Sequence, residues 1–404
     1  MRPLNILHVL RAPVGGLFRH VTDLVRGQIA RGHNVGIVAD SLTGDMQTET
    51  AFASLAPQLA LGLSRIPIKR PFGPNDLATF WHVSRRVRAT QADVVHGHGA
   101  KGGAFARLAF AGRPAIRAYT PHGGSLLLDH QSRTGKAYLA LEKLMMPRGD
   151  LYLFESAFSA AVFDAKIGKP GGLVRVVHNG VRPSEFEPAT LAPDATDLLF
   201  LGELRQIKGI DVLIDAIALL RDNGAPPVTT TVVGGGPLGA ALRAQAERLG
   251  LADKIRFMPP MPARDAMALG RVMVMPSRAE SLPYVVLEAA AADKPLIATN
   301  VGGISEIYGP LSDALLPAGD VAKLADAIAL AMCKPQSMTD TVNALHARVE
   351  TLFSCDAMVD GILAGYEQAI ARIPALSKKL GAGTGMQDVP PGELRQRQGV
   401  RAAI

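Results

Sequence analysis

The 404-residue chain is poor in cysteine, in aromatic side chains and in long apolar runs. Its two cysteines, Cys333 and Cys355, cannot staple a disulfide scaffold and suit a reducing compartment. Aromatics make up 5% of the residues, with one tryptophan, and no recognition-helix or zinc-finger spacing occurs, so nucleic acid is set aside as a partner. No stretch approaches the roughly 18 uninterrupted apolar residues of a membrane span, which argues against an integral membrane protein. The apolar run from Leu4 to Leu10 has the look of a short signal sequence. Arg11 and then Gly15-Gly16 follow it, rather than a small-residue cleavage site, so it reads as a buried first strand and the expected setting is the cytoplasm.

What is present is globular. Hydrophobic residues make up 48% and charged residues 20%, and the length exceeds one compact core, so two domains are expected. The net charge of +7 is unevenly spread: residues 1–180 carry a net +11, residues 181–373 a net −7 and the remainder +3. A basic half beside an acidic half points to an anionic partner met by one domain only. An anionic membrane surface or an acidic glycan fits that asymmetry.

Short apolar runs alternate with helical patterns along most of the chain. The runs lie at 4–10, 35–39, 93–96, 115–120 and 150–154, and resume at 197–201, 228–233, 255–258, 271–275 and 295–299. Between them, segments such as 17–31, 76–90, 209–222, 237–249 and 284–292 place apolar residues at three- and four-residue spacing. This alternation predicts α/β architecture with parallel sheets covered on both faces. The proline-rich break near 178–196 predicts a linker between two doubly wound domains, 1–180 and 181–373, whose ligand site lies in the cleft at the carboxyl ends of the strands. The last helix is expected to cross back onto the first domain, and 374–404, without periodicity, reads as a disordered tail.

Four motifs carry chemistry. Gly15-Gly16 sits between a strand and a helix N-terminus, where backbone N–H groups and the helix dipole favour an anion; a tight turn is the plain alternative. Gly234-Gly235-Gly236-Pro237-Leu238-Gly239 follows a strand and satisfies a dinucleotide fingerprint, but the next strand ends in Pro259-Pro260 rather than an acidic residue. A phosphate-facing loop is the reading that remains. In the segment Pro276 to Ala289, Pro283 marks a helix start, with Glu280 on the preceding loop and Glu288 in the second turn. Two carboxylates so placed can hold hydroxyls of one ligand while the helix amides face its phosphate. Finally, Arg205 and Lys208 after the strand at 197–201 suit a diphosphate clamp.

Together these residues resemble the family-4 retaining glycosyltransferases of GT-B fold, over about residues 4–370. The resemblance includes Asp93-Val94-Val95-His96-Gly97-His98, Thr120-Pro121-His122-Gly123, His178-Asn179-Gly180-Val181, Lys208-Gly209 and Gly302-Gly303 with Glu306. It implies two Rossmann-like domains facing each other across a cleft, the acidic one binding a nucleotide diphosphate sugar and the basic one the acceptor. By resemblance the catalytic residues are His122, Glu280 and Lys208. The donor-binding set is Gly15, Gly16, Arg205, Lys208, Gly234, Gly236, Glu280, Ser281, Leu282 and Glu288. Lys208 would neutralise the diphosphate, Glu288 would hold the ribose, Glu280 would hold sugar hydroxyls, and His122 would sit beside the sugar. No cofactor or metal is expected, since the chain has no Asp-x-Asp motif and fixed positive charge can stabilise the leaving group. Two departures stand out. Glu203 replaces the arginine that often follows the strand-end glycine, with Arg205 two positions on, and Ser281-Leu282-Pro283 replaces Gly-Phe-Gly. A UDP-sugar is favoured over a GDP-sugar. The same architecture also serves sugar-nucleotide epimerases, and a non-catalytic nucleotide-sugar-binding protein remains a third reading.

On the acceptor side, Leu77, Phe80, Ser84 and Val87 predict an inward stripe on the helix at 76–90, with Trp81 at its edge beside Arg85 and Arg88. Lys69, Arg70 and Phe72 precede it, and Lys136, Lys143 and Arg148 flank Leu139, Leu144, Met145 and Met146 further on. Aromatic and cationic residues on one face suit attachment to anionic lipid, which would make the acceptor a lipid-linked glycan or a lipopolysaccharide core at the inner leaflet.

Overall fold

A computed structural model describes residues 2–123, 132–374 and 376. Among the described residues, twelve strands form two wholly parallel sheets. The first has the order β3-β2-β1-β4-β5-β6-β7: β1 (Asn5–Leu10), β2 (Asn34–Asp40), β3 (Leu63–Ile66), β4 (Val94–His98), β5 (Ile116–Thr120), β6 (Leu151–Phe154) and β7 (Leu173–Val176). The second has the order β10-β9-β8-β11-β12: β8 (Thr196–Leu201), β9 (Thr230–Val233), β10 (Ile255–Met258), β11 (Gly270–Met275) and β12 (Leu296–Ala298). The strand order reverses beside β1 in one sheet and beside β8 in the other, so each sheet has its crevice at the carboxyl ends of its central strands.

Helices cover both sheets. In the first half they are α1 (Gly15–Ala30), α2 (Met46–Leu55), α3 (Asn75–Ala89), α4 (Gly99–Leu108), α5 (Arg133–Met145) and α6 (Ala157–Lys166). The second half has α7 (Ile210–Asp222), α8 (Gly239–Arg248), α9 (Ala263–Met267), α10 (Tyr284–Ala291), α11 (Ile304–Tyr308), α12 (Val321–Cys333), α13 (Thr339–Leu352) and α14 (Cys355–Ala371). The central strands read as unbroken apolar runs because both faces are buried: Ile6, Leu7, Val9 and Leu10 of β1 are fully inaccessible, as are Leu198, Leu199 and Phe200 of β8. The edge strands β3 and β7 were not marked by the apolar pattern. They are half exposed, and Arg65 and Arg175 interrupt them.

The chain crosses between the halves twice, side by side. Val181 and Ser354 form a parallel bridge, in which Val181 N–H donates to the Phe353 carbonyl and Cys355 N–H donates to the Val181 carbonyl, each at 2.8 Å. Beyond this hinge, Ser354 caps α14 by accepting from Ala357 N–H, and α14 packs Met358, Val359, Ile362, Tyr366 and Ile370 against Leu4, Ile6 and Leu24 of the first domain. Of the tail read at 374–404, residues 375 and 377–404 lie outside the described residues, while Leu376 is buried in the same cluster as Leu4 and Ile6.

Helix α3 departs from the expected stripe. Val83, Ser84 and Val87 face inward, but Leu77 is 63% exposed and Trp81 56%, because the inward face is set by Thr79 rather than Leu77. Leu77, Trp81 and Arg85 therefore share the outer face, four residues apart. No described helix is long and apolar enough to cross a membrane.

Candidate active site

The loops that face each other across the hinge all leave the carboxyl ends of strands. On the second domain, Lys208 follows β8 and Glu280 follows β11, and the two meet with Lys208 Nζ 2.6 Å from Glu280 Oε1. Ser277 donates to the same carboxylate oxygen at 2.7 Å. Gly209 makes this approach possible. Its φ is +68°, and a Cβ there would overlap the Pro276 carbonyl oxygen, so the turn carrying Lys208 can press onto the end of β11 only with glycine. Arg278 clamps the same two loops, binding both oxygens of Asp211 at 2.7 Å and the Gln206 carbonyl at 2.9 Å.

Gly234 and Gly236, after β9, pack directly on the backbone of the Gly202–Leu204 loop. The Gly235 carbonyl accepts from Leu204 N–H at 2.8 Å, which joins the glycine loop to the turn that bears Lys208. Arg205 is half exposed and lies 3.5 Å from Glu203. Glu288 is also engaged elsewhere. Its carboxylate pairs with Arg19 of α1, which additionally binds Glu185 at 2.5 Å and stacks 4.4 Å from the centre of the Tyr284 ring. The structure thus brings Lys208 and Glu280 together but gives Glu288 a partner across the domain interface.

On the first domain, Gly15 opens α1, which no side chain caps, and Gly16 faces the Tyr284 ring. His122 follows β5 with a φ of +53°, a left-handed conformation that costs a non-glycine residue about 1–3 kcal/mol and is found at functional sites. Its Nε2 lies 3.0 Å from His98 Nδ1. Behind it, His98 Nε2 lies 2.9 Å from His8 Nδ1, and His8 Nε2 lies 2.8 Å from Gln28 Oε1. His96 is held between the Tyr366 hydroxyl and Thr120 Oγ1 at 2.7 and 2.8 Å. Burial disfavours the imidazolium throughout: His8 and His20 are pushed down to about 4, and His96, His98 and His122 well below their ordinary value, so the cluster is neutral at pH 7.

One carboxylate joins the two sides. Glu155, at the end of β6, is 2% exposed, and Ser281 donates to its Oε1 at 2.5 Å. Burial pushes the Glu155 carboxyl up, an effect offset in part by Ser281 and by the backbone at Gly123, and its Oε2 is buried with no hydrogen-bond partner among the described residues. The loop after Glu280 therefore meets the first domain at Glu155, close to the turn that bears His122. Ser281 Oγ also lies 2.6 Å from Ser159 Oγ, and the Leu282 carbonyl accepts from Asn179 Nδ2 at 2.9 Å. Glu306 completes the closure by accepting from the N–H groups of Ala157 and Phe158 at 2.8 Å, a cap on α6 supplied by the other domain.

Two family models match almost end to end: one described as Glycosyltransferase Family 4 over residues 14–185, and one described as Glycosyl transferases group 1 over residues 195–333. The chain belongs to the family-4 glycosyltransferases. A curated relative, D-inositol 3-phosphate glycosyltransferase of Actinosynnema mirum, is 28% identical over 418 residues, spanning 91% of this chain and 98% of the relative. Among solved structures, Anabaena Alr3699/HepE in complex with UDP and glucose superposes with a TM-score of 0.75 at 20% identity, covering 90% of this chain and 100% of that one. WaaG, a glycosyltransferase involved in lipopolysaccharide biosynthesis, superposes at 0.68 with 18% identity, covering 90% and 100%. The fold of this glycosyltransferase is GT-B.

Several residues at the site went unread in the sequence. Glu155 and Arg19 carry no motif, since their partners, Ser281 and Glu288, are 126 and 269 positions away. The histidine cluster did leave a trace. His96 and His98 alternate on β4, and His8 stands opposite His96 in the β1–β4 register, so all three share one face of the sheet.

Proposed function

We propose that this glycosyltransferase moves a hexose from a nucleotide diphosphate sugar to an anionic acceptor of the cell envelope, with retention of configuration and without a bound metal. The observation that carries the reading is the Lys208–Glu280 pair, whose following loop docks on the first domain through the Ser281–Glu155 hydrogen bond. A UDP-sugar is the favoured donor, in keeping with the UDP held by a protein of the same fold. The bond from the anomeric carbon to the diphosphate oxygen breaks while the bond to the acceptor oxygen forms on the same face. The acceptor proton passes to a donor phosphate oxygen. Lys208 neutralises the leaving diphosphate, together with the amide ends of α1 and α10, and Glu280 fixes sugar hydroxyls. His122 borders the transferred sugar, Gly234 and Gly236 hold the phosphate-side loops in place, and Glu288 exchanges its contact with Arg19 for the ribose hydroxyls.

The acceptor reading rests on charge. Arg11, at the end of β1, is half buried, and burial together with the nearby Arg70 lowers its guanidinium below the ordinary value, with Asp40 partly compensating. A half-buried cation at a strand end, with the charge of Arg70 adding to its own, suits an anionic group such as a phosphate. Both a phosphorylated cyclitol, as named for the curated relative, and an acidic lipid-linked glycan supply one. The exposed Leu77, Trp81 and Arg85 face of α3, with Phe110 also exposed near Arg88, favours the lipid-linked acceptor and a place on the inner face of the cytoplasmic membrane.

The test is transfer from UDP- and GDP-hexoses in the presence of a chelator, with acceptors of both kinds, the product configuration being read by proton NMR. A product with the donor's anomeric configuration is expected. Conversion of the nucleotide sugar without acceptor would make the protein an epimerase, and donor binding without turnover would make it a binding protein. His122→Ala should lower kcat more than donor affinity.

A further inference from the structure

The histidine cluster contains one nitrogen atom that the hydrogen bonds do not explain. His20, on α1, is 1% exposed, and its Nδ1 lies 3.0 Å from Asn179 Oδ1. The Asn179 amide nitrogen is committed to the Leu282 carbonyl at 2.9 Å, so the atom facing His20 is an oxygen and can only accept. His20 therefore carries its proton on Nδ1 and turns a bare lone pair inward at Nε2. That atom is buried and meets no hydrogen-bond partner among the described residues. A buried acceptor left alone costs about 1–3 kcal/mol.

The lone pair on His98 is fixed in the same way. Gln28 directs its nitrogen to the Tyr366 hydroxyl and its Oε1 to His8 Nε2, which places the His8 proton on Nε2. His8 Nδ1 then accepts from His98 Nε2–H, so His98 Nδ1 is a lone pair, and it accepts from His122 Nε2–H at 3.0 Å. His20, His98 and His122 each bring one ring nitrogen within 4.8 Å of the other two. A tetrahedral ion with metal–nitrogen bonds of about 2.0–2.1 Å holds its ligand nitrogens about 3.3 Å apart, so the 3.0 Å between His98 and His122 opens by only a few tenths. The neighbouring trio of His8, His96 and His98 has no unpartnered nitrogen. In the first trio His20 Nε2 is unpartnered among the described residues, and an ion displaces a single bond, that from His122 Nε2–H to His98 Nδ1, the His122 proton moving to Nδ1.

We propose that His20, His98 and His122 form a three-imidazole site for a divalent transition-metal ion of the Zn2+ class. Asn179 and the His8–Gln28 pair hold two of the ligands in the required tautomer, the role that outer-shell partners play at metal centres. His122 is the most exposed of the three rings, so the fourth position opens on the cleft side. An ion there takes His122 away from the transferred sugar, which makes the site inhibitory. That consequence rests on the role given to His122 above; the binding itself does not.

The test uses the untagged, chelator-stripped full chain, titrated with Co2+ and then Zn2+. The expected result is one ion per chain, seen as the absorption of four-coordinate Co2+ and displaced by Zn2+. His20→Ala and His20→Gln should each weaken binding by at least about tenfold. His82→Ala, a change on α3 at Ser64 and away from the cluster, should leave binding intact. His20→Gln keeps an amide for Asn179 and stands in if the alanine variant does not fold, as judged by circular dichroism in chelator. No stoichiometric binding by the wild-type chain, or unchanged binding in a folded His20 variant, overturns the site. If Zn2+ binds yet transfer continues, the site stands and the role of His122 falls.

Discussion

Lys294 is a buried cation whose removal should stabilise the protein. It is 5% exposed, and its ammonium donates to the Met267 carbonyl at 2.7 Å. Burial, and then the like charge of Arg271, hold it down at about 8, with no acidic group offsetting either effect. An unfolded lysine titrates near 10.4, and each pKa unit is worth 1.36 kcal/mol, so keeping Lys294 charged in the fold costs about 3 kcal/mol at neutral pH. Lys294→Met removes that cost and forfeits one hydrogen bond of about 1 kcal/mol, for an expected net gain of about 1–2 kcal/mol at pH 7. The sign with pH follows from linkage. Above about pH 8 the folded chain gives up the proton while the unfolded chain keeps it until about 10.4. Wild-type stability therefore rises across that window, and the advantage of the variant shrinks by about 2 kcal/mol between about pH 7 and 9.5. Urea denaturation of both proteins at the two pH values, followed on the transition of the second domain, reads this difference directly. A methionine variant less stable than wild type at pH 7, or a difference that does not change with pH, would refute the reasoning.

Three further outcomes are expected. Glu142→Ala should destabilise the first domain by about 3–5 kcal/mol in urea denaturation, because it strands Arg107, whose fully buried guanidinium binds Glu142 at 2.7 Å. Pairing Glu142→Leu with Arg107→Met should recover most of that loss. Gly209→Ala should displace the turn bearing Lys208 and weaken nucleotide binding by at least about tenfold in calorimetry, since a hydrogen bond to a charged group is worth about 1.5–3 kcal/mol; unchanged binding would detach that turn from the donor site. Combined Trp81→Ala, Arg85→Glu and Arg88→Glu should reduce salt-sensitive pelleting with anionic vesicles, and unaltered pelleting would remove α3 as a membrane face.

The alternation of apolar runs and helical patterns was legible because central parallel strands are buried on both faces; ten of the twelve strands sit on runs marked in the sequence. The edge strands β3 and β7 were not, since half-exposed strands bearing Arg65 and Arg175 lose the apolar signal. In the site, Lys208 and Glu280 were each legible from their strand-end positions, though the contact between them was not. The partner of Glu288 could not, because the Arg19 contact depends on how the two domains close. The orientation of α3 misled for a local reason: Leu77 sits exposed in the first turn, and a buried threonine two residues later sets the inward face. Glu155 and Asn179 act through single long-range hydrogen bonds, and no spacing along a chain encodes these.

The donor site itself is tested by calorimetric titration of the full chain with UDP-glucose in the presence of a chelator, for wild type and Lys208→Ala. The geometry of Lys208 and Glu280 predicts metal-free binding by the wild type and a loss of at least about tenfold in the variant, which removes the cation and leaves Glu280 without its partner. No binding by the wild type, or equal binding by both proteins, contradicts the placement of the nucleotide diphosphate between Lys208, Glu280 and the His122 turn.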